Sequence, residues 1–231
     1  MRASLVIVAA GASSRFGAAN KLLEVLGGGK TVLEICIENA WASGTSSELV
    51  IAASNDTWVA SEAVMKKIGA PGSVVSGGFY RQESVKNALE VCGGEIVIIH
   101  DAARPLASKE LFAAVFEAAS QTTGAAPFLP VPDTVLMRTE AGVLAGNVNR
   151  DSLIRTQTPQ AFPLKALLGF HLSAETEGRC FSDDASLFLA CGAKVSFVPG
   201  EEANIKISTN RDLEIVRAIF AARGGGMNCA Q

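Results

Sequence analysis

Short apolar runs that alternate with helical patterns constrain the fold of this chain more than any other feature. The runs occupy residues 4–10, 48–54, 73–78 and 95–103. Their apolar residues are continuous rather than alternating, which is typical of strands buried on both faces. Helical patterns occupy residues 31–44, 56–69 and 81–94, and another begins after Ser108. This order predicts an α/β fold, with a Rossmann-like, mostly parallel sheet covered by helices on both faces.

The alternation of strand and helix patterns stops after Gly124. Segment 125–150 has two strand-like runs around TEAG and no helical period. We interpret this segment as a β-hairpin arm that projects from the sheet. The remaining elements are predicted as helices at 163–176 and 183–191, strands at 194–200 and 204–208, and a closing helix at 209–223. The 231 residues are thus expected to form a single domain with this arm.

The charge balance and the few histidines narrow the possible function classes. The chain carries a net charge of −3, whereas a nucleic-acid groove needs a basic stripe. Its five cysteines form no C-x-x-C pair, which indicates reduced thiols in a cytoplasmic protein. With His100 and His171 alone, a His-rich metal site is not expected, and no apolar run reaches membrane-spanning length. We therefore expect neither a nucleic-acid partner nor a membrane partner.

Two phosphate-binding motifs are nearly present close to the N-terminus, but both fail on spacing. GGGKT at 27–31 ends like the P-loop G-x-x-x-x-G-K-[ST], yet Glu24 stands where the first Gly is required. The dinucleotide fingerprint G-x-G-x-x-G fails at Ser13 and Phe16. We therefore interpret GGGKT as a surface turn. What remains is a strand followed by a turn of small residues that carries two cations.

The turns after the predicted parallel strands would meet at one edge of the sheet, where such folds bind ligands. The residues with suitable chemistry in these turns and in the late NIKIS segment are Arg15, Lys21, Gly77, Gly78, Arg81, Ser84, Asp101, Arg104 and Lys206. The set combines several cations with one carboxylate and with two glycines that allow the backbone to approach a ligand closely. It predicts a site for a polyphosphate accompanied by a divalent cation.

Seven short segments, taken in order, resemble one enzyme family. AAGASSRFGAANK, SGGFYRQESV, HDAARP, PVPDT, QTPQAF, DDAS and NIKIS follow one another as in the 2-C-methyl-D-erythritol 4-phosphate cytidylyltransferases of the non-mevalonate isoprenoid pathway. The resemblance extends from Leu5 to Leu213, although the first loop departs from the family pattern at Ser13, Ser14 and Asn20. It implies transfer of CMP from CTP to a sugar-alcohol phosphate by one nucleotidyltransferase domain. The attacking phosphate oxygen is already anionic near neutral pH, so no general base is needed.

The resemblance also implies roles for individual residues. Arg15 and Lys21 would hold the triphosphate, while Lys206 and Arg150 would complete the catalytic set on the acceptor side. Asp101 would bind Mg²⁺. The acceptor-binding residues would be Asp101, Thr134, Arg150 and Lys206. The nucleotide-binding residues would be Ala9, Ala10, Gly11, Ala12, Gly77, Gly78, Arg81, Ser84 and Ala102.

Some chemically suggestive residues also have structural interpretations. Asp183 and Asp184 follow Ser182 at a predicted helix start, which favours capping over metal binding. His100 is expected to pack at the end of its strand. Gly77 and Gly78 are equally compatible with a tight turn that contacts no ligand.

Two other functions and one assembly question remain open at this level. A ribitol 5-phosphate cytidylyltransferase has a similar first half, and the acceptor side, with Thr134, Arg150 and the TPQ segment, would separate the two enzymes. A nucleotide-binding regulator that has lost catalysis would lack Lys21 or Lys206, and both are present. Because a two-stranded ribbon is marginal alone, the arm at 125–150 is expected to be covered by a second subunit in a homodimer. Arg150 would then complete the acceptor site of the partner subunit.

Overall fold

A computed structural model of the chain describes residues 2–11 and 20–224. The strands are β1 (Ala3–Ala9), β2 (Val25–Gly27), β3 (Lys30–Thr31), β4 (Glu48–Ala53), β5 (Gly72–Ser76), β6 (Ile96–Asp101), β7 (Thr123–Pro130), β8 (Val135–Arg138), β9 (Leu144–Val148), β10 (Ile154–Thr156), β11 (Gln160–Pro163) and β12 (Lys194–Pro199). The helices are α1 (Val32–Trp41), α2 (Asn55–Ile68), α3 (Arg81–Leu89), α4 (Lys109–Ala118), α5 (Leu164–Thr176), α6 (Asp184–Ala190) and α7 (Asn210–Ala222).

The central sheet has the strand order β10-β7-β11-β6-β1-β4-β5, and β12 pairs with β7. Strands β6, β1, β4 and β5 run parallel, whereas β11 runs antiparallel to β6 and β7. The central strands are buried on both faces, as their continuous apolar runs require. Leu5 and Ile7 face a core that includes α1, α2, α4 and α7, and Val6 faces a core with α3, α5 and α6. The predicted mostly parallel, doubly covered sheet is thereby confirmed.

Local signals in the sequence explain how several elements begin. Thr31 caps α1 and forms the predicted capping box with Glu34, since each side chain binds the backbone N–H of the other residue. The GGGKT segment forms the turn of the small hairpin between β2 and β3. Gly28 and Gly29 have φ angles of 58° and 74°, which is the left-handed region that favours glycine. The interpretation of GGGKT as a surface turn is confirmed.

Two predictions about strands are wrong: the bounds of the arm, and the strand at 204–208. The sequence pattern places the arm at about 125–150, but β7 belongs to the central sheet, where Ala125 and Ala126 are buried. The projecting hairpin is therefore shorter and consists of β8 and β9, which pair with each other. The pattern also predicts a strand at 204–208, but these residues form an irregular segment with no strand partner among the described residues. Ile207 N–H donates to the Ala103 carbonyl, so this segment is tied to the turn after β6 instead.

The antiparallel strand β11 matters most for the site. Its first residue, Gln160, lies opposite Ile99, two residues before the end of β6. Residues just before β11 therefore lie at the same edge of the sheet as the residues that follow the parallel strands. None of the helices in residues 2–11 and 20–224 has both the length and the apolar character to cross a bilayer.

Candidate active site

A cleft of about 480 Å³ lies at the carboxyl-terminal edge of β1 and β6, beside the turn that leads into α3. Its lining residues are Val8, Ala10, Gly11, Lys21, Leu22, Gly78, Phe79, Tyr80, Arg81, Ser84, Asp101, Ala103, Lys206 and Ser208. The edge where a parallel sheet binds ligands is thus the edge that carries the predicted cations Lys21, Arg81 and Lys206. The backbone turns supply the walls, and charged side chains supply the floor.

Asp101 is the centre of the charged floor. Its carboxylate Oδ1 accepts a hydrogen bond from Arg81 Nε at 2.9 Å, and its Oδ2 accepts one from Lys206 Nζ at 2.6 Å. Burial alone would raise the pKa of Asp101, but the charges of Arg81 and Lys206 outweigh it and hold this pKa well below its usual range. Asp101 therefore carries its negative charge throughout the neutral pH range.

Arg81 is bound from its other side as well. Its Nη1 donates to Asp184 Oδ2 at 2.8 Å, and Asp184 Oδ1 is 3.0 Å from His171 Nε2. Asp184 and His171 each have a side chain that is 1% exposed. Burial favours the neutral acid, yet the charge of Arg81 and the contact with His171 hold the pKa of Asp184 below its ordinary value. The side chains thus form one connected chain: Lys206, Asp101, Arg81, Asp184 and His171.

A second, uncharged network positions the backbone at Asp101. His100 Nε2 lies 2.9 Å from the Arg104 carbonyl, which can only accept, so Nε2 carries the proton. His100 Nδ1, 3.1 Å from Thr158 Oγ1, then accepts from that hydroxyl. The Thr158 hydroxyl in turn accepts from the backbone N–H of Asp101 at 3.0 Å. Burial lowers the pKa of His100 to about 4, so the ring is neutral and acts as a structural residue.

The segment that carries Lys206 is attached to the same network. Asn204 Nδ2 donates to the Thr158 carbonyl at 2.8 Å, and the Asn204 carbonyl accepts from Arg104 Nη1 at 2.8 Å. Gln157 Nε2 donates to the Glu201 carbonyl at 2.8 Å. The TPQ segment predicted to be functional therefore connects the end of β6 to the segment with Lys206.

The turn after β5 is tightly constrained. A Cβ added to Gly77 would lie 2.0 Å from the Cβ of Ala10, so glycine is required for these two turns to approach each other. Gly78 N–H donates to Ser84 Oγ at 2.9 Å, and Phe79 N–H donates to Glu83 Oε2 at 2.7 Å. The turn thereby presents Phe79, which is 88% exposed, at the cleft.

Most of the predicted nucleotide-binding residues lie at this cleft or directly behind it. Those that line it are Ala10, Gly11, Gly78, Arg81 and Ser84, together with the predicted catalytic residues Lys21 and Lys206. Ala9 and Ala102 are buried, and Ala102 N–H donates to the Val8 carbonyl at 3.1 Å. Gly77 supports the cleft through its contact with Ala10. Arg15 and Ala12 lie outside the described residues.

Thr134 and Arg150 lie elsewhere in the chain's own fold. They border a separate pocket of about 220 Å³ at the base of the β8–β9 hairpin, and this pocket shares no lining residue with the cleft. Arg150 is exposed, and its Nη1 donates to the Pro132 carbonyl at 2.8 Å. The two predicted acceptor-phosphate residues are therefore brought together with each other, but not with Asp101 and Lys206.

Residues 3–222 match the sequence model of the 2-C-methyl-D-erythritol 4-phosphate cytidylyltransferase family. The chain belongs to this family. It is 34% identical over 224 residues to the enzyme of that name from Nostoc punctiforme, a match that covers 95% of this chain and 99% of the relative.

Solved structures agree. The 4-diphosphocytidyl-2C-methyl-D-erythritol synthase from Anaerococcus prevotii superposes with a TM-score of 0.82 at 27% identity, covering 95% of this chain and 98% of the other. The 2-C-methyl-D-erythritol 4-phosphate cytidylyltransferase from Thermus thermophilus superposes with a TM-score of 0.77 at 33% identity, covering 96% and 100%. The resemblance stated from the seven sequence segments is confirmed, and the chain is a cytidylyltransferase.

Among the described residues, the cleft of this cytidylyltransferase offers one carboxylate to a divalent cation. No cluster of three or more His, Cys, Asp or Glu side chains suited to a metal occurs among residues 2–11 and 20–224. Asp101 is the carboxylate in the cleft, and each of its oxygens accepts one N–H and retains a further lone pair. Mg²⁺ is commonly held by one or two carboxylates together with substrate phosphates and water. Asp101 can thus supply one ligand.

Several residues of the cytidylyltransferase site were not predicted from sequence. Asp183 caps α6 as expected, because its side chain accepts from the Ser186 N–H, but Asp184 instead enters the buried ion-pair chain. His171 and Asn204 were not predicted as site residues at all. DDAS and NIK were recognised as family segments, and polar residues in those segments were the signal that could have identified Asp184 and Asn204.

Proposed function

We propose that this cytidylyltransferase transfers CMP from CTP to the phosphate of 2-C-methyl-D-erythritol 4-phosphate, releasing diphosphate. The observation that carries the proposal is the cleft floor, where Lys206 and Arg81 flank the buried carboxylate of Asp101 beside Lys21. Two anions must meet there, so the chemistry depends on cations that offset the charge on both substrates. The acceptor named for the relatives supplies the second anion.

The proposed reaction forms one bond and breaks one. A phosphate oxygen of the acceptor attacks the α-phosphorus of CTP, and the bond from that phosphorus to the β-phosphate oxygen breaks as diphosphate leaves. Lys206, whose side chain is 40% exposed, would turn from Asp101 to the α-phosphate. Lys21 and Arg15 would hold the triphosphate. No residue has to remove a proton, which agrees with a neutral His100 whose two nitrogens are both engaged.

Mg²⁺ is part of the proposal. When bound, it would offset part of the negative charge that the attacking phosphate meets at CTP. Asp101 would be its ligand from the protein, and it would also accept from hydroxyl groups of ribose or acceptor. The pyrimidine would lie against Ala10, Gly11 and the turn at Gly77 and Gly78, where Ser84 fixes the backbone.

We also propose that the enzyme is a homodimer. The β8–β9 hairpin carries exposed apolar side chains on both strands and in the turn between them: Leu136, Met137, Val143 and Leu144. A ribbon with two unpaired faces is marginal in water, and a second copy of the same hairpin is a suitable cover. Such an arrangement would bring Thr134 and Arg150 of one subunit to the cleft of its partner, where they would bind the acceptor phosphate.

Diphosphate release tests the function directly. Purified protein is incubated with CTP, Mg²⁺ and either 2-C-methyl-D-erythritol 4-phosphate or ribitol 5-phosphate, and the nucleotide product is identified by mass. We expect turnover with the first acceptor. Turnover with ribitol 5-phosphate alone would assign the alternative enzyme, and binding of CTP without turnover on either acceptor would indicate a nucleotide-binding regulator.

The same assay tests nucleotide and metal requirements. We expect a strong preference for CTP over UTP, because a mismatched base leaves buried polar groups without partners. Chelation of divalent cations with EDTA should stop turnover, and added Mg²⁺ should restore it. Equal rates with CTP and UTP, or full activity in the chelator, would contradict this proposal.

A further inference from the structure

The two carboxylate oxygens of Asp101 bind cations that differ in side-chain exposure and in the kind of segment that carries them. Oδ1 binds Arg81 Nε at 2.9 Å, and the Arg81 side chain is 21% exposed. Oδ2 binds Lys206 Nζ at 2.6 Å, and the Lys206 side chain, at 40%, is more exposed. Lys206 lies on an irregular segment, whereas Arg81 is the first residue of α3. One oxygen therefore has a fixed partner, and the other has a partner that can leave.

The fixed partner depends on a residue behind it. Asp184 Oδ2 accepts from Arg81 Nη1 at 2.8 Å, so the guanidinium is held by one carboxylate on each side. Asp184 itself is restrained by His171 at 3.0 Å. The start of α6 is restrained too, because Ala185 N–H donates to Gln160 Oε1 at 3.0 Å. A planar guanidinium that binds two buried carboxylates has little freedom to rotate.

From this geometry we infer that Asp184 is a positioning residue for nucleotidyl transfer, which acts by holding Arg81 on one oxygen of Asp101 so that Lys206 can leave the other for substrate. The inference rests on the proposed function. It gives Asp184 a functional role, although this residue does not line the cleft and was interpreted from sequence only as part of a helix cap.

The charge balance explains why the task is needed. While Lys206 pairs with Asp101, the carboxylate has two cationic partners; when Lys206 turns to a phosphate, Arg81 is the remaining one. If Arg81 were free to rotate, it could follow the phosphate or leave Asp101 as a poorly compensated buried anion. Asp184 would prevent both outcomes because it holds Nη1 of the guanidinium while Nε stays on Asp101. Asp101 then stays ionised and in place during turnover.

Neighbouring aspartates provide a matched pair of variants. Asp184→Asn removes the charge behind Arg81 with little change in volume, and Asp183→Asn makes the same change one residue earlier, at the cap of α6. We expect Asp184→Asn to lower kcat for CMP transfer by on the order of tenfold or more, as loss of an orienting outer partner does at metal sites. The KM for CTP should change less. We expect Asp183→Asn to keep kcat within about twofold of the wild type, because asparagine caps a helix as aspartate does and the ion pair of Asp184 with Arg81 is kept.

A second variant, Arg81→Lys, distinguishes a positioning role of Asp184 from a contribution to folding stability alone. Arg81→Lys keeps a positive charge, but an ammonium lacks the planar fork that spans both carboxylates. If Asp184 acts through Arg81, adding Asp184→Asn to Arg81→Lys should lower kcat no further. Arg81→Lys alone must also lose kcat, and this variant carries the test if Asp184→Asn does not fold. All rates are compared well below the melting temperature of each variant.

One readout does not depend on which reaction is catalysed. The Nε–H of Arg81 gives an NMR signal whose shift and solvent exchange report its bond to Asp101. We expect Asp184→Asn to shift this signal and to speed its exchange, while Asp183→Asn leaves it unchanged. Four results would each overturn the inference. They are a wild-type kcat in folded Asp184→Asn, losses in kcat that multiply when Asp184→Asn is added to Arg81→Lys, an equal loss of kcat in Asp183→Asn, and an unchanged Nε–H signal. Absence of CMP transfer by the wild type, with the expected NMR changes, would instead overturn the proposed function and leave the hold of Asp184 on Arg81 standing.

Discussion

Lys206 reaches the cleft from a segment that is neither helix nor strand. The segment is fixed by the buried Asn204 on one side and by the bond from Ile207 N–H to the Ala103 carbonyl on the other. The ammonium group therefore has a well-anchored backbone but a side chain that is 40% exposed. Such a residue can exchange one anionic partner for another without disturbing the core.

We expect Lys206→Ala and Lys21→Ala to abolish most turnover while the protein stays folded. Neither side chain is part of the buried core, so truncation leaves no apolar cavity. Loss of a cation that stabilises the transition state should cost about 3 kcal/mol or more, which is at least roughly a hundredfold in rate. Diphosphate release measures the rate, and circular dichroism with thermal unfolding serves as the control. Near wild-type turnover would remove the residue from the mechanism.

His100 makes stability depend on pH. Burial lowers its folded pKa to about 4, whereas an unfolded His titrates near about 6.5. Between these values the unfolded chain binds a proton that the folded protein excludes, so the free energy of unfolding falls as pH falls. We expect this residue to account for a loss of about 2 kcal/mol between about pH 7 and pH 5, measured by urea unfolding.

His100→Gln is the control for this pH effect. Glutamine can donate to the Arg104 carbonyl but does not titrate, so the variant should be less stable at neutral pH and lose less stability on acidification. All other titratable groups are shared by both proteins, so their contributions cancel in the comparison. An identical pH dependence in the two proteins would show that His100 does not titrate as its burial requires.

Among the elements, the sequence best predicted the strands that are buried on both faces and the helices with a clear cap. β1, β4 and β6 each contain a continuous apolar run because they are covered on both faces, and α1 has an explicit capping box. The failures have physical reasons as well. The run that forms β7 resembles part of the arm because no helix follows it, although tertiary pairing places it in the central sheet.

The site divides in the same way. Residues in turns directly after parallel strands, such as Asp101 and Arg81, were predictable because the topology brings those turns together. Residues that reach the site through long-range packing were not. Asp184 looked like a cap because its neighbour is one, and Thr158 lies at this edge only because β11 runs antiparallel. NIKIS alternates like a strand, but its backbone bonds to a turn.

Glycines at two places should respond to substitution in opposite directions. In Gly77→Ala the new Cβ would lie 2.0 Å from the Cβ of Ala10, so the turns after β1 and β5 must separate. We expect a loss of stability of about 1–3 kcal/mol, typical of overpacking, with a higher KM for CTP.

Gly169→Ala, inside α5 with no atom within 4 Å of its added Cβ, should instead stabilise the protein by about 0.5–1 kcal/mol. Thermal unfolding and CTP titration measure both; a harmless Gly77→Ala would refute the close approach.

The assembly of the whole enzyme can be tested by mixing two inactive variants. Lys21→Ala disables the cleft of its own subunit, and under the homodimer proposal Arg150→Ala disables the cleft of its partner. A mixed dimer then has one site with both defects and one site with neither. After subunit exchange we therefore expect activity to reappear and to approach one wild-type site per mixed dimer.

The controls for mixing are the separate variants and a tagged pair that verifies exchange. If Arg150 acts on the cleft of its own chain, every site keeps a defect and mixing restores nothing. A flat result with verified exchange, or a protein that sediments as a monomer at assay concentration, would exclude the proposed arrangement. The exposed apolar residues of the β8–β9 hairpin would then need another cover.

The ion-pair chain also has a consequence for protein synthesis. Arg81 and Asp101 are 20 residues apart, but Asp184 follows Arg81 by 103 residues and Lys206 follows Asp101 by 105. A product that ends prematurely after β6 would have this arginine and this aspartate without their later partners, and burying such charges is costly. Truncated chains should therefore remain open around β6 and be degraded by proteases, which cleave open states. The ion pairs of the candidate site therefore favour survival of complete chains over truncated ones.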